Sequence, residues 1–174
     1  MRPIQIFFQD EARFGRINIP VACWAPQGQR PSVSKQIVRQ YIYAYSAVNP
    51  VTGDVFSILA PNCDTEIMSL FMEQFSMEYK NYRNIVIMDK AGWHTTNYLK
   101  SFDNVRNIFL PPYSPELNPT EHLWAAIRDY KFRNTAYGSM DEVQNALIDS
   151  FEYLDNNKDM VSRLTYFKWM NLDI

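Results

Sequence analysis

A nearly continuous apolar run at residues 84–88, NIVIM, is the sequence feature that most limits how this chain can fold. A strand with four successive apolar residues has to be covered on both faces, as the inner strands of α/β sheets are. Four further segments, at residues 3–9, 40–48, 55–59 and 105–110, have the composition or the alternation of strands. We therefore predict an α/β fold with a mixed central sheet and helices on both faces.

Helical spacing of apolar residues occurs between these strands and after the last of them. Residues 13–34 are rich in glycine and proline and predict loops, with a short hairpin strand at Val21–Trp24. The four prolines within residues 111–119 predict a stiff, non-helical connector. The predicted helices cover residues 65–80 (capped by Asp64), 95–102, 119–131 and 140–154, and the tail at 156–174 is predicted to be helical in part.

Size and composition exclude several classes of protein. At 174 residues and 20.5 kDa, the chain predicts one domain spanning residues 1–174. With 47% hydrophobic and 21% charged residues, it is not a disordered tail, a fibrous protein or a coiled coil. No apolar run approaches the ~20 residues of a membrane span, and residues 1–4 do not resemble a secretory signal. We therefore expect a cytoplasmic protein with no membrane partner.

Cysteine and histidine are too scattered to indicate a structural metal site. Cys23 and Cys63 lie far apart, and His94 and His122 stand alone. Because zinc sites use clustered ligands, we expect both cysteines to be reduced, unpaired thiols.

Three acidic residues lie at positions where their side chains could converge to form a catalytic site. Asp10 follows the first predicted strand, Asp89 follows the buried strand, and Glu121 lies at the start of a predicted helix. Strand ends at the rim of an α/β sheet commonly bind ligands. Three converging carboxylates repel one another unless a cation lies between them, and hard oxygen ligands in small number select Mg²⁺ or Mn²⁺. Two such ions can clamp the attacking and leaving oxygens of a phosphoryl transfer.

Each acid also has a purely structural interpretation. Asp10 and Asp89 could be turn residues at the ends of strands. The third acid could complete a capping box over residues 118–121. Glu11 and Glu116 are neighbouring acids that could take the first and third places instead.

Four blocks of sequence occur in order between residues 5 and 133. They are FQDEARFG at residues 8–15, WAPQGQRP at 24–31, MDKAGWH at 88–94 and LPPYSPELNPTEHLW at 110–124. Together they resemble the catalytic domain of insertion-sequence-630 transposases, which belong to the Tc1/mariner superfamily of DDE transposases. The proline-rich fourth block is the most specific. Because all four blocks occur together, the resemblance outweighs the structural interpretation of each single acid.

The resemblance implies an RNase H-like fold with a DDE triad formed by Asp10, Asp89 and Glu121. These residues would be both catalytic and metal-binding, with Mg²⁺ as the cofactor and Mn²⁺ as its substitute. The implied activity is hydrolysis of DNA strands at transposon ends, followed by attack of the freed 3′-hydroxyl on target DNA at a TA dinucleotide.

The chain departs from the family at Lys90, where asparagine is common. A lysine there could pair with a phosphate or weaken metal binding by repulsion.

The distribution of charge adds a set of expected DNA contacts. Residues 12–53 contain five basic residues and no acid, whereas the rest of the chain has twelve basic and nineteen acidic residues. The stretch is either an acid-poor loop and strand or a surface that meets phosphate. His94 stands where the superfamily commonly has histidine, and it either contacts DNA or holds the active-site loop. The expected DNA-binding residues are Arg13, Arg16, Arg30, Lys35, Lys90 and His94.

The resemblance also implies partners. Full transposases of this family carry helix-turn-helix domains before the first catalytic acid, and we expect that portion to be absent from this chain and supplied upstream or by frameshifting. The expected partners are the DNA of transposon ends and of the target, and a second copy of the chain in a homodimer. Bound to DNA, the protein would be associated with the nucleoid.

Two other functions are compatible with the same residues. A non-catalytic remnant would bind DNA or pair with an intact transposase and restrain it. Another RNase H-like nuclease, of resolvase or ribonuclease type, would act on structured or hybrid substrates. The complete triad disfavours the first, and the proline-rich block disfavours the second.

Overall fold

A computed structural model of the protein describes residues 2–170. Residues 171–174, the end of the tail that is predicted to be partly helical, lie outside the described residues. Within this part of the chain, no helix is long and apolar enough to cross a membrane. The strands are β1 (Ile4–Ile17), β2 (Ile37–Val48), β3 (Val55–Ala60), β4 (Arg83–Met88) and β5 (Val105–Phe109), and the α-helices are α1 (Thr65–Glu78), α2 (Thr120–Ile127), α3 (Met140–Asp155) and α4 (Lys158–Thr165).

The five strands form one mixed sheet in the order β3-β2-β1-β4-β5. β1 is antiparallel to β2 and parallel to β4, and β5 adds a further parallel strand. On one face, α1 packs against a core that includes Phe7, Phe75 and Val86. On the other face, α2, α3 and α4 pack around a second core that includes Phe8 and Trp124. The predicted α/β fold with helices on both faces of a mixed sheet is confirmed.

The first strand is longer than predicted, and this changes the setting of Asp10. β1 continues to Ile17 instead of ending before Asp10. Its parallel pairing with β4 ends at Phe8, opposite Ile87, whereas its antiparallel pairing with β2 continues past Asp10, which lies opposite Ser46. Asp10 is therefore inside a strand and is not a strand-ending turn residue. Asp10 still lies at the rim of the sheet, because β4 ends before it and leaves that edge of β1 unpaired.

Two predicted elements do not form. Residues 95–102 make turns instead of a helix, and the Thr96 hydroxyl accepts a hydrogen bond from the Tyr98 N–H, which competes with helical bonding. Val21–Trp24 is not a strand, because the backbone of Val21 bonds to the Asn134 side chain and not to a neighbouring strand.

The segment from 111 to 131 is close to its prediction but is more irregular. The proline-rich connector contains one short 3-10 turn, Pro115–Leu117. α2 begins at Thr120 and ends at Ile127, and the chain then continues as a π-helical turn, Arg128–Phe132.

The turn between β2 and β3 packs closely against α4. Gly53 has a φ of +73°, and a Cβ atom there would clash with the backbone carbonyl of Lys158 at the start of α4. Lys158 Nζ lies 2.7 Å from Asp54 Oδ1, and the Ser162 hydroxyl donates a 2.7 Å hydrogen bond to the Pro50 carbonyl. The turn and the helix therefore meet with no room for a side chain at Gly53.

We expect Gly53→Ala to lower the free energy of unfolding by more than ~3 kcal/mol, because it combines left-handed strain with a backbone clash. Gly28→Ala is the matched control. Gly28 also has a positive φ, +84°, but no atom lies within 4 Å of the added Cβ, so only the strain of ~1–2 kcal/mol is expected there. Urea unfolding followed by tryptophan fluorescence measures both losses. Equal losses would show that the close approach to α4 contributes nothing.

Candidate active site

A cleft of about 460 Å³ opens at the end of β4. Its walls come from β1, from the loop after β4, from the proline-rich residues 110–115 and from the start of α2. Asp10, Asp89 and Glu121 all line it, and so does Lys90. Three elements that are far apart in the sequence thus bring the three predicted acids to one cavity.

Asp10 lies on the face of β1 that α2 covers. Trp124 Nε1, from α2, donates a hydrogen bond of 3.0 Å to Asp10 Oδ2. Burial raises the pKa of Asp10 to about 7, and the negative charges of Glu11 and Glu121 add to the rise. Trp124 lies in the core, where it is 1% exposed, and its bond to Asp10 is not apparent from the sequence. No local pattern reveals a contact between residues so far apart in the chain.

Two buried side chains fasten the start of α2 to β1. Asn118 Nδ2 donates to the Gln9 carbonyl at 3.1 Å, and the Thr120 hydroxyl donates to the Phe8 carbonyl at 2.9 Å. The Phe8 carbonyl belongs to the last residue of β1 that pairs with β4, and the Gln9 carbonyl lies just beyond that pair. The helix that carries Glu121 is therefore fixed to the strand that carries Asp10.

The capping box predicted over residues 118–121 forms only in part. Asn118 Oδ1 accepts a 3.2 Å hydrogen bond from the Thr120 N–H, as a helix cap does. The Asn118 N–H donates to the Pro115 carbonyl at 2.9 Å, and not to Glu121. The Glu121 carboxylate is therefore not used in a reciprocal cap, and the residue is exposed on the wall of the cleft.

Asp89 is held through one of its two oxygens. Its Oδ1 accepts hydrogen bonds from the Ala91 N–H at 2.9 Å and from His94 Nδ1 at 2.8 Å. Its Oδ2 has no hydrogen bond among the described residues. The side chain is 56% exposed, so the second oxygen is accessible from the cleft.

The two rival acids do not line the cleft. Glu116 is exposed on the 3-10 turn. Glu11 lies on the opposite face of β1 from Asp10, and its Oε1 accepts a 2.8 Å hydrogen bond from His94 Nε2. Burial alone would lower the pKa of His94, but the carboxylates of Glu11 and Asp89 outweigh it and raise that pKa. Of the adjacent pair in β1, only Asp10 faces the predicted site.

Four of the residues predicted to contact DNA are accessible, although they are not clustered. Lys90 is on the cleft wall. Arg30 and Lys35 are exposed on the arm between β1 and β2, which is residues 18–36. Arg13 is exposed too, and its guanidinium carbon lies 4.4 Å from the centre of the Tyr41 ring. Charge and exposure suit all four to phosphate.

Arg16 and His94, which are also predicted to contact DNA, form hydrogen bonds to other groups of the protein. Arg16 Nε donates to the Tyr137 carbonyl at 2.9 Å, and its Nη1 donates to Gln40 Oε1 at 2.8 Å. His94 is only 2% exposed. A ring buried this deeply does not reach DNA, so of the two roles expected for His94 the structure favours holding the active-site loop.

Comparison with known sequences identifies the family. The family model of the DDE superfamily endonucleases matches residues 5–144. The chain belongs to this family. This chain, called the DDE domain below, is 36% identical over 104 residues to y4pE/y4sA, an uncharacterised protein of Sinorhizobium fredii. The match covers 59% of this chain and 77% of that protein. It is also 27% identical over 141 residues to a 39 kDa protein of insertion element IS630 from Shigella sonnei. That match covers 78% of this chain and 41% of that protein.

Solved structures of the Mos1 mariner transposase share the fold of the DDE domain. The catalytic domain of Mos1 has a TM-score of 0.59 at 14% identity, with 94% of this chain and 84% of that chain covered. Mos1 in a pre-cleavage transpososome has a TM-score of 0.64 at 15% identity, with 94% and 57% covered. The predicted RNase H-like fold is confirmed, and so is the prediction of a DDE catalytic domain of the IS630 and Tc1/mariner type. The chain spans less than half of the Shigella protein and little more than half of the transpososome chain.

The raised pKa of Asp10 gives the DDE domain a distinctive pH dependence when no metal is bound. An unfolded aspartate titrates near 3.8, whereas folded Asp10 titrates at about 7. Between these values the folded state keeps a proton that the unfolded state has lost. The free energy of unfolding therefore falls as the pH rises through this window, and the loss persists above pH 7.

We expect Asp10→Asn to raise the free energy of unfolding at pH 8 by ~2–4 kcal/mol and to change it little at pH 4, because asparagine carries no charge in the buried setting. Urea unfolding in the presence of a chelator, at both pH values, measures the difference. Asp103→Asn, at an exposed position, is the control and should show no such dependence. A stabilisation of the same size at pH 4 and pH 8 would refute the raised pKa.

Proposed function

We propose that this chain is the catalytic domain of a transposase, which cuts DNA strands at the ends of a mobile element and joins them to target DNA. The observation that carries the proposal is that Asp10, Asp89 and Glu121 line one cleft in a member of the DDE superfamily endonucleases. The three acids come from a strand, a loop and a helix. The bonds that hold these elements together keep the acids at the cavity.

The donor set of the cleft fits a hard divalent cation. Carboxylate oxygens are the ligands that Mg²⁺ and Mn²⁺ prefer. The Glu121 carboxylate, which helps to raise the pKa of Asp10, also makes the cleft favourable for a cation. Among residues 2–170, no three His, Cys, Asp or Glu side chains are close enough to hold an ion by themselves. We therefore expect phosphate oxygens of bound DNA and water to complete the coordination.

Metal ions in Mos1 support the same cofactor here. Mos1 paired-end complexes have been solved with Mn and with Mg. Bound in this cleft, Mg²⁺ would supply polarisation of the scissile phosphate and a lowered pKa for the attacking water or 3′-hydroxyl.

The protein's own residues orient the acids and the phosphate. Trp124 fixes Asp10, and the bond from Thr120 to β1 fixes the start of α2 and with it Glu121. Lys90 places a positive charge on the cleft wall, where it suits a phosphate oxygen. The prolines of residues 111–115 limit the backbone movement of the neighbouring wall.

Basic residues beyond the cleft suit the backbone of bound DNA. A groove beside the arm is lined by Arg13, Arg128 and Arg133, and the arm itself carries Arg30 and Lys35. Mos1 structures include a paired-end complex with a transposon end and a strand transfer complex. We infer that this domain also binds transposon ends and target DNA, that it works as a homodimer, and that a helix-turn-helix portion outside this chain recognises the terminal repeats.

The two alternative functions are not favoured. An inactive remnant would not need the three acids, yet all of them line the cleft. Another type of RNase H-like nuclease is less consistent with the match to the DDE superfamily endonucleases over residues 5–144.

Asp89→Asn is expected to reduce nicking of DNA that carries the element's ends by at least ~10³-fold, because it removes one charge of the metal-binding set. The variant should unfold at nearly the same urea concentration as the wild type, since Asp89 is half exposed. Glu116→Gln, which removes an exposed carboxylate outside the cleft, is the control and should nick normally. Undiminished nicking by Asp89→Asn would reject the site.

The double variant Arg30→Ala/Lys35→Ala is expected to weaken DNA binding and to reduce the slope of log K against log salt by ~1–2, because two phosphate contacts are lost. Lys80→Ala is the control. Lys80 is also exposed, but it lies just before β4, at the end of the strand away from the cleft. Fluorescence anisotropy with duplex DNA at several salt concentrations measures the slopes. An unchanged slope in the double variant would place DNA away from the arm.

A further inference from the structure

Glu11 follows Asp10 in β1, but its side chain lies on the other face of the sheet. Successive side chains of a strand point to opposite faces, so Asp10 faces α2 while Glu11 faces the loop after β4. The Glu11 side chain is only 7% exposed. A carboxylate buried to this extent destabilises a fold unless hydrogen-bond donors compensate it. Its donors therefore indicate what Glu11 does.

Three N–H groups converge on one oxygen of Glu11. Oε1 lies 2.8 Å from His94 Nε2, 3.0 Å from Gln9 Nε2 and 3.4 Å from Trp93 Nε1. Gln9 is on the same strand, but Trp93 and His94 belong to the loop that begins with Asp89. Glu11 thus ties β1 to the loop that carries the second acid of the proposed triad.

His94 connects this anchor to Asp89. Its Nδ1 lies 2.8 Å from Asp89 Oδ1 and 3.1 Å from the Asp89 backbone carbonyl. Each ring nitrogen lies within hydrogen-bond distance of a carboxylate oxygen, so the ring bridges Glu11 and Asp89. The Ala91 N–H also donates to Asp89 Oδ1. One oxygen of Asp89 is therefore committed to the protein, and the other is left for the cleft.

We propose that Glu11 and His94 are positioning residues for Asp89: Glu11 orients the His94 ring, and His94 fixes the Asp89 carboxylate with Oδ2 available to the cleft. This inference rests on the proposed function, since it treats Asp89 as a ligand of the divalent cation. With 56% of the Asp89 side chain exposed, packing alone does not select its rotamer. The bonds to Oδ1 do so.

Outer partners of metal ligands account for about 10–100-fold in metal affinity in other proteins, because they orient the ligand before the ion arrives. Glu11 and His94 would act in the same way on Asp89.

The positioning role is tested by measuring Mn²⁺ binding to the protein alone, with electron paramagnetic resonance reporting the free Mn²⁺. Glu11→Gln and His94→Gln should each weaken Mn²⁺ binding by about 10-fold or more, and should raise the Mg²⁺ concentration for half-maximal nicking by a similar factor. Nicking at saturating Mg²⁺ should change less. Because Glu11 acts through His94, the double variant should be no weaker than His94→Gln.

Thr165→Val is the matched control for lost stability. It removes a buried hydroxyl on α4 that bonds to the Val161 carbonyl, and it should change neither the Mn²⁺ affinity nor the Mg²⁺ requirement. Circular dichroism establishes which variants fold, and each of the two single variants that folds is a sufficient test. If the wild type binds Mn²⁺ only with DNA, the Mg²⁺ dependence of nicking decides.

The positioning role is overturned if a folded single variant keeps the metal dependence of the wild type, or if the effects of the two substitutions simply add. A failure of the proposed function is distinguishable, because the wild type itself would then nick no DNA, or Asp89→Asn would nick as well as the wild type. Weakened metal dependence in Thr165→Val would assign the effect to stability and would also overturn the role.

Discussion

The pairing of β1 organises the structure around Asp10. Along one edge β1 pairs with β2 from Phe8 to its last residue, Ile17, whereas along the other edge its pairing with β4 ends at Phe8. The chain departs from β4 at Asp89, close to the part of β1 that β4 no longer covers. The Thr120 hydroxyl binds the Phe8 carbonyl at the same place and brings the start of α2, with Glu121, to the cleft. One change of strand pairing therefore opens the cavity and gathers the acids.

Charge is arranged differently on the two faces of β1. On the α2 face, burial raises the pKa of Asp10 to about 7, and the charges of Glu121 in the cleft and of Glu11 across the strand add to the rise, so a cation bound there would stabilise the Asp10 carboxylate. On the other face, Glu11 is matched by His94, a ring whose pKa burial would lower but the carboxylates of Glu11 and Asp89 raise. The alternation of side chains along β1 thus places Asp10, which we propose binds a cation, on one face, and Glu11, which bonds to His94, on the other.

Much of this arrangement can be predicted from sequence, because the signals are local. The apolar run at 84–88 predicts the strand before Asp89, and the motif at 110–124 predicts the connector and the helix that carries Glu121. Polar residues follow Phe8 in β1, so the sequence does not predict that the strand continues to Ile17; its pairing with β2 shows that it does. The helix predicted at 95–102 was wrong because local threonine bonding competes with helical bonding. The bonds from Trp124 to Asp10 and from His94 to Glu11 join residues distant in sequence, and no local pattern encodes such contacts.

The proposed function depends on a divalent cation that Asp10, Asp89 and Glu121 hold together with phosphate oxygens of bound DNA. Anomalous X-ray diffraction from crystals of the protein with a cleaved DNA end, soaked in Mn²⁺, tests it most directly. We predict a Mn²⁺ peak in the cleft within coordination distance of Asp10 and Asp89, with Glu121 beside it and phosphate oxygens completing the shell. A peak elsewhere, or a cleft in which Lys90 takes the place of the ion, would refute the claim.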